Sequence, residues 1–109
     1  MTPGKSVNQE SKIVVQIDPD LEDIVPVFLQ NRQRDMATLD GCLKKLDWQT
    51  VRLLGHRMKG DGGGYGFDRI SEIGGRLEQA ALTGDQTTIT QQCAELKDFL
   101  ARVEVVYKR

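Results

Sequence analysis

Apolar residues recur at every third or fourth position along four stretches of this chain, and turn-forming residues separate each stretch from the next. A helix turns about 100° per residue, so this spacing gathers each apolar set on one helical face. The first stretch follows Asp18-Pro19-Asp20, a turn and helix-entry signal, with Glu22 and Asp23 where a helix N-terminus favours negative charge. It runs to about Leu46, with Val25, Leu29, Met36, Leu39, Leu43 and Leu46 in register and Arg32 standing where an apolar residue is expected. Pro26 falls near its first turn, where a missing N–H costs little. Asp47 can cap a second helix that starts at Trp48, and Trp48 is expected to staple that end of the fold. A third helix is expected from about Asp68 to Ala81, with Ile70, Ile73, Leu77 and Ala81 on one face and Thr83-Gly84-Asp85 closing it. A fourth is expected from about Gln86 to Tyr107, carrying Ile89, Cys93, Leu96, Leu100 and Val103. Four amphipathic helices joined by short turns imply an all-α, antiparallel up-down-up-down four-helix bundle over residues 18–109.

Residues 1–17 read differently. Residues 1–11 are polar, contain Pro and Gly, and suit a loose tail. Ile13-Val14-Val15-Gln16-Ile17 is β-branched, but no second strand pattern stands out to pair with it. It is expected to lie extended against the helices.

At 109 residues the chain fits one small domain, and 39% apolar residues supply one core. The 15 basic residues are balanced by 16 acidic ones, which argues against a dedicated nucleic-acid binder. No apolar run is long enough to span a bilayer and no signal-peptide pattern occurs, so a cytoplasmic location is expected. Cys42 and Cys93 lie far apart without metal-ligand spacing; reduced, partly buried thiols are expected, with a disulfide or metal site as the alternative. The four stripes can bury one another, so a monomer is expected.

The second helix leads into the stretch Gly55-His56-Arg57-Met58-Lys59-Gly60-Asp61-Gly62-Gly63-Gly64-Tyr65-Gly66-Phe67, which holds the only histidine of the chain. A phosphate-cradling loop needs Lys-Ser/Thr after its glycines and a strand before them; here Lys59 precedes most of the glycines and helical sequence flanks them. Continued as a helix, Val51, Leu54, Met58, Gly62 and Tyr65 fall within about 60° of the pole opposite His56. Arg52, Lys59, Gly60 and Gly63 fall within about 60° of His56 itself. The histidine then faces solvent with a lysine one turn on. Helical glycine costs up to about 1 kcal/mol relative to alanine, so a cluster of them calls for an offsetting gain. Bare backbone beside an imidazole would let another macromolecule approach it closely, in a phospho-acceptor or a docking role. Gly74-Gly75 in the third helix are expected to permit close helix packing, with a hinge as the alternative.

These residues resemble the histidine-containing phosphotransfer (HPt) domain family. The resemblance rests on His56, Met58 two residues on, Lys59-Gly60, and Gly66 ten residues after the histidine. Ile70, Leu77-Glu78 and Ala80-Ala81 in the third helix resemble the family too, as does Leu46-Asp47-Trp48 at the entry to the second. The likeness covers about residues 20–107. It implies a bundle whose exposed histidine carries a phosphoryl group between receiver-domain aspartates, or from a kinase to a receiver. His56 would be the carrier, Lys59 would lie beside the phosphoryl group, and Gly60 would leave room for the partner. Asp61 departs from the family, where a small residue is usual; its direction on the helix is well away from His56.

A residue as far past the turn near Gly66 as His56 is before it falls at positions 76–78. Glu78 is therefore the expected acceptor for the histidine, and the family resemblance points to the same place. Accepting from Nδ1, it would leave Nε2 as the nucleophile; the bland alternative is a solvated glutamate. Lys59 would offset phosphoryl charge, or be a generic surface lysine. Arg52 and Gly63 are candidate partner contacts, with a bystander role as the alternative for Arg52. No carboxylate cluster accompanies His56, so no cofactor of the chain's own is expected, and Mg²⁺ would come from the partner receiver. The expected partners are a receiver domain or a sensor kinase, with no nucleic acid and no membrane. The rival function is a docking module that binds a receiver without carrying phosphate. A small hydrolase or nucleotide binder is weaker still, for want of a nucleophile–base pair and a metal triad.

Overall fold

The computed structural model describes residues 11–108, so most of the expected N-terminal tail lies outside the described residues. Strand β1 (Ile13–Ile17) leads through a single 3-10 turn at Pro19–Leu21 into α1 (Val25–Lys45). Helices α2 (Trp48–Gly64), α3 (Asp68–Thr83) and α4 (Gln86–Arg102) follow, and strand β2 (Val103–Tyr107) ends the order. Each helix packs on the next and α4 returns to α1, which closes a four-helix bundle. The expected architecture is present, and α2 and α3 are its most intimate pair.

The helix ends follow from local chemistry. Asp18 accepts from the Asp20 backbone N–H at 2.8 Å, which fixes the 3-10 turn and delays the regular helix to Val25, with Pro26 in its first turn. Asp47 and Asp85 cap α2 and α4 in the same way. Each accepts from a backbone N–H three residues on, at 3.2 Å from Thr50 and 3.1 Å from Thr88, and from that threonine's hydroxyl at 2.7 Å. These bonds hold both carboxyls below the usual aspartate value. Leu46, expected in the apolar stripe, is instead the left-handed cap of α1 at φ 56° and is exposed. Gly84 caps α3 at φ 68°, beside the indole of half-buried Trp48.

The fourth helix was expected to reach Tyr107; it stops at Arg102. Val103–Tyr107 is a strand that pairs in parallel with β1, in register from Ile13↔Val103 to Ile17↔Tyr107. The missing strand partner of the sequence reading is therefore the end of its own fourth helix. Val103, Val105, Val106 and Tyr107 are β-branched or aromatic and favour a pleated surface. Val103, Val105 and Tyr107 turn toward the bundle while Glu104 and Val106 turn away. Parallel strands need a long crossover, and here the whole bundle supplies it.

Leu39, Val51, Met58, Ile70, Ile73, Leu77, Ile89 and Leu96 form the centre of the core. Phe28, Phe67 and Phe99 fill the end near the sheet, with Phe28 stacked on Phe67 at 5.2 Å and Phe67 edge-on to Phe99 at 6.4 Å. On α1 the buried face is Val25, Phe28, Arg32, Met36, Leu39 and Cys42, while Leu29 and Leu43 sit at its border. Arg32 does occupy an apolar position. Its guanidinium lies over the Phe28 ring at 4.8 Å, 3.0 Å from Asp35 and 3.8 Å from Asp61 of α2. Burial outweighs the Arg32 and Arg57 cations at Asp35 and raises its carboxyl. Cys42 and Cys93 are free and buried, and burial pushes the Cys93 thiol up to about 11.

Candidate functional site

The α2–α3 pair comes close enough to build a site because two glycines meet at the crossing. A β-carbon on Gly55 would stand 2.7 Å from the Glu78 backbone N and 2.7 Å from the Gly74 carbonyl oxygen. One on Gly74 would stand 2.5 Å from the Lys59 backbone N and 2.6 Å from the Gly55 carbonyl oxygen. No real side chain is accommodated at such distances, so both positions require glycine. The contact brings Glu78 of α3 against His56, the neighbour of Gly55, and against Lys59 one turn on.

His56 keeps 68% of its side chain exposed, whereas Glu78 keeps only 16%. The His56 Nδ1 lies 3.0 Å from Glu78 Oε2. The His56 hydrogen bond is the chief cause holding the Glu78 carboxyl below the usual glutamate value, against the opposing effect of burial, so it is ionised at neutral pH. An ionised carboxylate only accepts, which makes Nδ1 the donor and leaves the lone pair of the neutral ring on Nε2. Nε2 has no hydrogen-bond partner among the described residues. The other carboxylate oxygen, Oε1, lies 3.6 Å from Lys59 Nζ; this is an ion pair without a hydrogen bond, and Oε1 is buried.

The remaining candidates stand around this triad. Arg52 is exposed and lines a depression of about 440 Å³ with Gln49, Thr50, Leu53, His56 and Glu78. Gly60 is exposed, with nothing within 4 Å of where its β-carbon would be. Gly63 is exposed too, its β-carbon position 3.9 Å from Ser71 Oγ. Helix α2 runs through the glycines to Gly64, and its buried residues include Val51, Leu54, Met58 and Gly62 of the predicted stripe. Gly62, which that stripe left without a reason, is explained by α3: a β-carbon there would stand 2.5 Å from the Ser71 backbone N. Asp61 turns to the α1 side, toward Arg32. Of the Gly74-Gly75 pair, Gly74 sits at the crossing and Gly75 faces the Lys59 stem.

Two contributors were missed in the sequence: Gly55 and Ser71, whose hydroxyl donates to the Lys59 carbonyl at 2.5 Å. Gly55 left one signal, a glycine next to the histidine inside a helical pattern. Ser71 left none, because one serine on a helix is unremarkable until its neighbour is known.

Among the described residues no group of three or more His, Cys, Asp or Glu is arranged to hold a metal ion, and no helix is long and apolar enough to cross a membrane. The family model of the Hpt domain matches residues 23–105 of this chain. A search of curated proteins and a search of solved structures each returned no match.

Proposed function

Since the chain belongs to the Hpt domain family, the phosphotransfer domains of two-component systems, we propose that it carries a phosphoryl group on Nε2 of His56. The observation that supports this most is the 3.0 Å contact from Nδ1 to Glu78 on a ring that is otherwise largely exposed. It fixes the tautomer and leaves a nucleophilic nitrogen facing outward.

The Nε2 lone pair attacks the phosphorus of an aspartyl phosphate on a receiver domain, or of the phosphorylated group of a kinase. The Nε2–P bond forms as the old bond to phosphorus breaks, and the donor leaves with its electron pair. Nδ1 keeps its proton, so the ring gains positive charge, and Glu78 stabilises that charge where it develops. Lys59 offsets charge on the phosphoryl oxygens. Transfer onward to a receiver aspartate is the reverse sequence.

Arg52, Gly60 and Gly63 form the surface that meets the partner: a cation beside the depression and bare backbone past the histidine. Glu78 is already turned to His56 and Lys59. The Mg²⁺ that phosphoryl transfer draws on is therefore assigned to the partner receiver. The protein acts as a monomeric, cytoplasmic phosphocarrier without kinase or phosphatase activity of its own.

Incubation with phosphorylated receiver domains tests this. Acid-labile, base-stable phosphate is expected on the wild type and not on His56→Gln. If every receiver that binds the chain leaves it unphosphorylated, the chain is a docking module and the phosphocarrier reading fails.

A further inference from the structure

Lys59, though 56% exposed, runs alongside one face of α3. Its carbonyl accepts from Ser71 Oγ at 2.5 Å. Its aliphatic stem crosses bare backbone at Gly75, where a β-carbon would stand 3.6 Å from Lys59 Cδ and 4.0 Å from Cγ. Its ammonium ends 3.6 Å from Glu78 Oε1. Ser71, Gly75 and Glu78 are spaced at four and seven residues, so they share one face of α3. A surface lysine ordinarily samples many rotamers, and ordering it costs entropy. Here the backbone, stem and head each have a contact on a rigid element. The head is held loosely: it is more than half exposed and pairs with Oε1 at 3.6 Å, longer than a good hydrogen bond. It can turn toward a nearby anion at little cost.

We infer that Ser71 and Gly75 are positioning residues for Lys59, laying its stem along α3 so that its ammonium is poised between Glu78 and a phosphoryl group on His56. The placement stands on geometry alone, and only the delivery to a phosphoryl group rests on the phosphocarrier reading. Neither residue touches the reacting atoms. Gly75 acts by leaving the path of the stem clear of any side chain longer than a methyl group, and Ser71 by tying the lysine backbone to the helix that carries Glu78.

The test uses the full chain as wild type, Lys59→Ala, Gly75→Val, Gly75→Ala and the Lys59→Ala/Gly75→Val double variant. Circular dichroism confirms that each folds. The first readout is the titration of the Glu78 carboxyl by carbon-13 NMR, which needs no phosphate. Lys59→Ala removes a cation that lowers this carboxyl's value, so its titration moves to higher pH. Gly75→Val, whose methyl groups extend past an ordinary contact, displaces the stem and is expected to move the titration the same way. The double variant moves it no further than Lys59→Ala, and Gly75→Ala stays near wild type. Ser71→Ala, which adds no atoms to the interface, is expected to give a smaller shift of the same sign and serves where Gly75→Val fails to fold.

The second readout is the rate of phosphate uptake from a phosphorylated receiver. The loss caused by Gly75→Val is expected in the Lys59 background but absent once Lys59 is alanine. A wild-type Glu78 titration in both Gly75→Val and Ser71→Ala overturns the placement, and so do shifts that add to that of Lys59→Ala. Equal losses of rate with and without Lys59 overturn the delivery. If the titrations move as expected while the wild type takes no phosphate, the lysine placement holds and the phosphocarrier reading is the part that fails.

Discussion

Glutamine in place of Glu78 keeps an oxygen that can accept from Nδ1 but removes the negative charge beside the ring. Alanine removes both. The two variants therefore separate tautomer control from charge stabilisation. A charge-assisted hydrogen bond is stronger than a neutral one, so Glu78→Gln is expected to slow uptake of phosphate on the order of fivefold to tenfold. Glu78→Ala gives up the bond altogether and is expected to slow it by roughly ten- to a hundredfold. Stopped-flow or quench kinetics with one phosphorylated receiver checks both, and a wild-type rate for Glu78→Ala would sink the orienting role. This contact was readable from the sequence because it follows from counting outward from the Gly66 turn. The Arg32–Asp61 contact was not: the wheel showed a cation in an apolar register and a carboxylate turned from the histidine, but nothing joined residues 29 positions apart on different helices.

Glycines inside the helices do opposite things, and only their neighbours distinguish them. Gly74 stands where a β-carbon would overlap the backbone of α2, whereas Gly41 of α1 has nothing within 4 Å. Gly74→Ala is expected to force the helices apart at a cost of about 2–3 kcal/mol, a large value for one methyl group. Gly41→Ala is expected to stabilise by about 0.5–1 kcal/mol, because an open helical glycine only loses backbone entropy on folding. Urea denaturation with both variants decides the matter; equal and small effects would mean that the crossing is looser than its distances imply. The helices themselves were legible from stripe spacing and from Asp47, Gly84 and Asp85 at their ends. β2 was not. Val103 continues the α4 stripe, so helical and alternating patterns overlap there, and its partner strand lies 90 positions away at the other end of the chain.

Across the whole molecule the site and the sheet occupy separate regions of packing. His56, Lys59 and Glu78 depend on the Gly55–Gly74 crossing, while β1 and β2 cover the end of the bundle built on Phe28, Phe67 and Phe99. The two regions meet at the α2–α3 turn. There Gly66 adopts φ 88°, and the Ile17 Cδ1 approaches to 2.9 Å of where a β-carbon would be. A chain ending at Arg102 loses the half-buried Val103, Val105 and Tyr107 and leaves β1 without its partner. Three half-buried side chains are worth on the order of 3 kcal/mol, which for a domain of this size lowers Tm by roughly 15 °C. The Nδ1–Glu78 bond should survive, because no atom of β2 takes part in it. The shortened chain is therefore expected to melt early but to keep the His56 ring proton and the Glu78 titration of the full chain, both readable by NMR below the melting range. If the ring proton signal disappears with the strand, the turn at Gly66 transmits the sheet's packing into the α2–α3 crossing, and the site is a property of the whole bundle rather than of two helices.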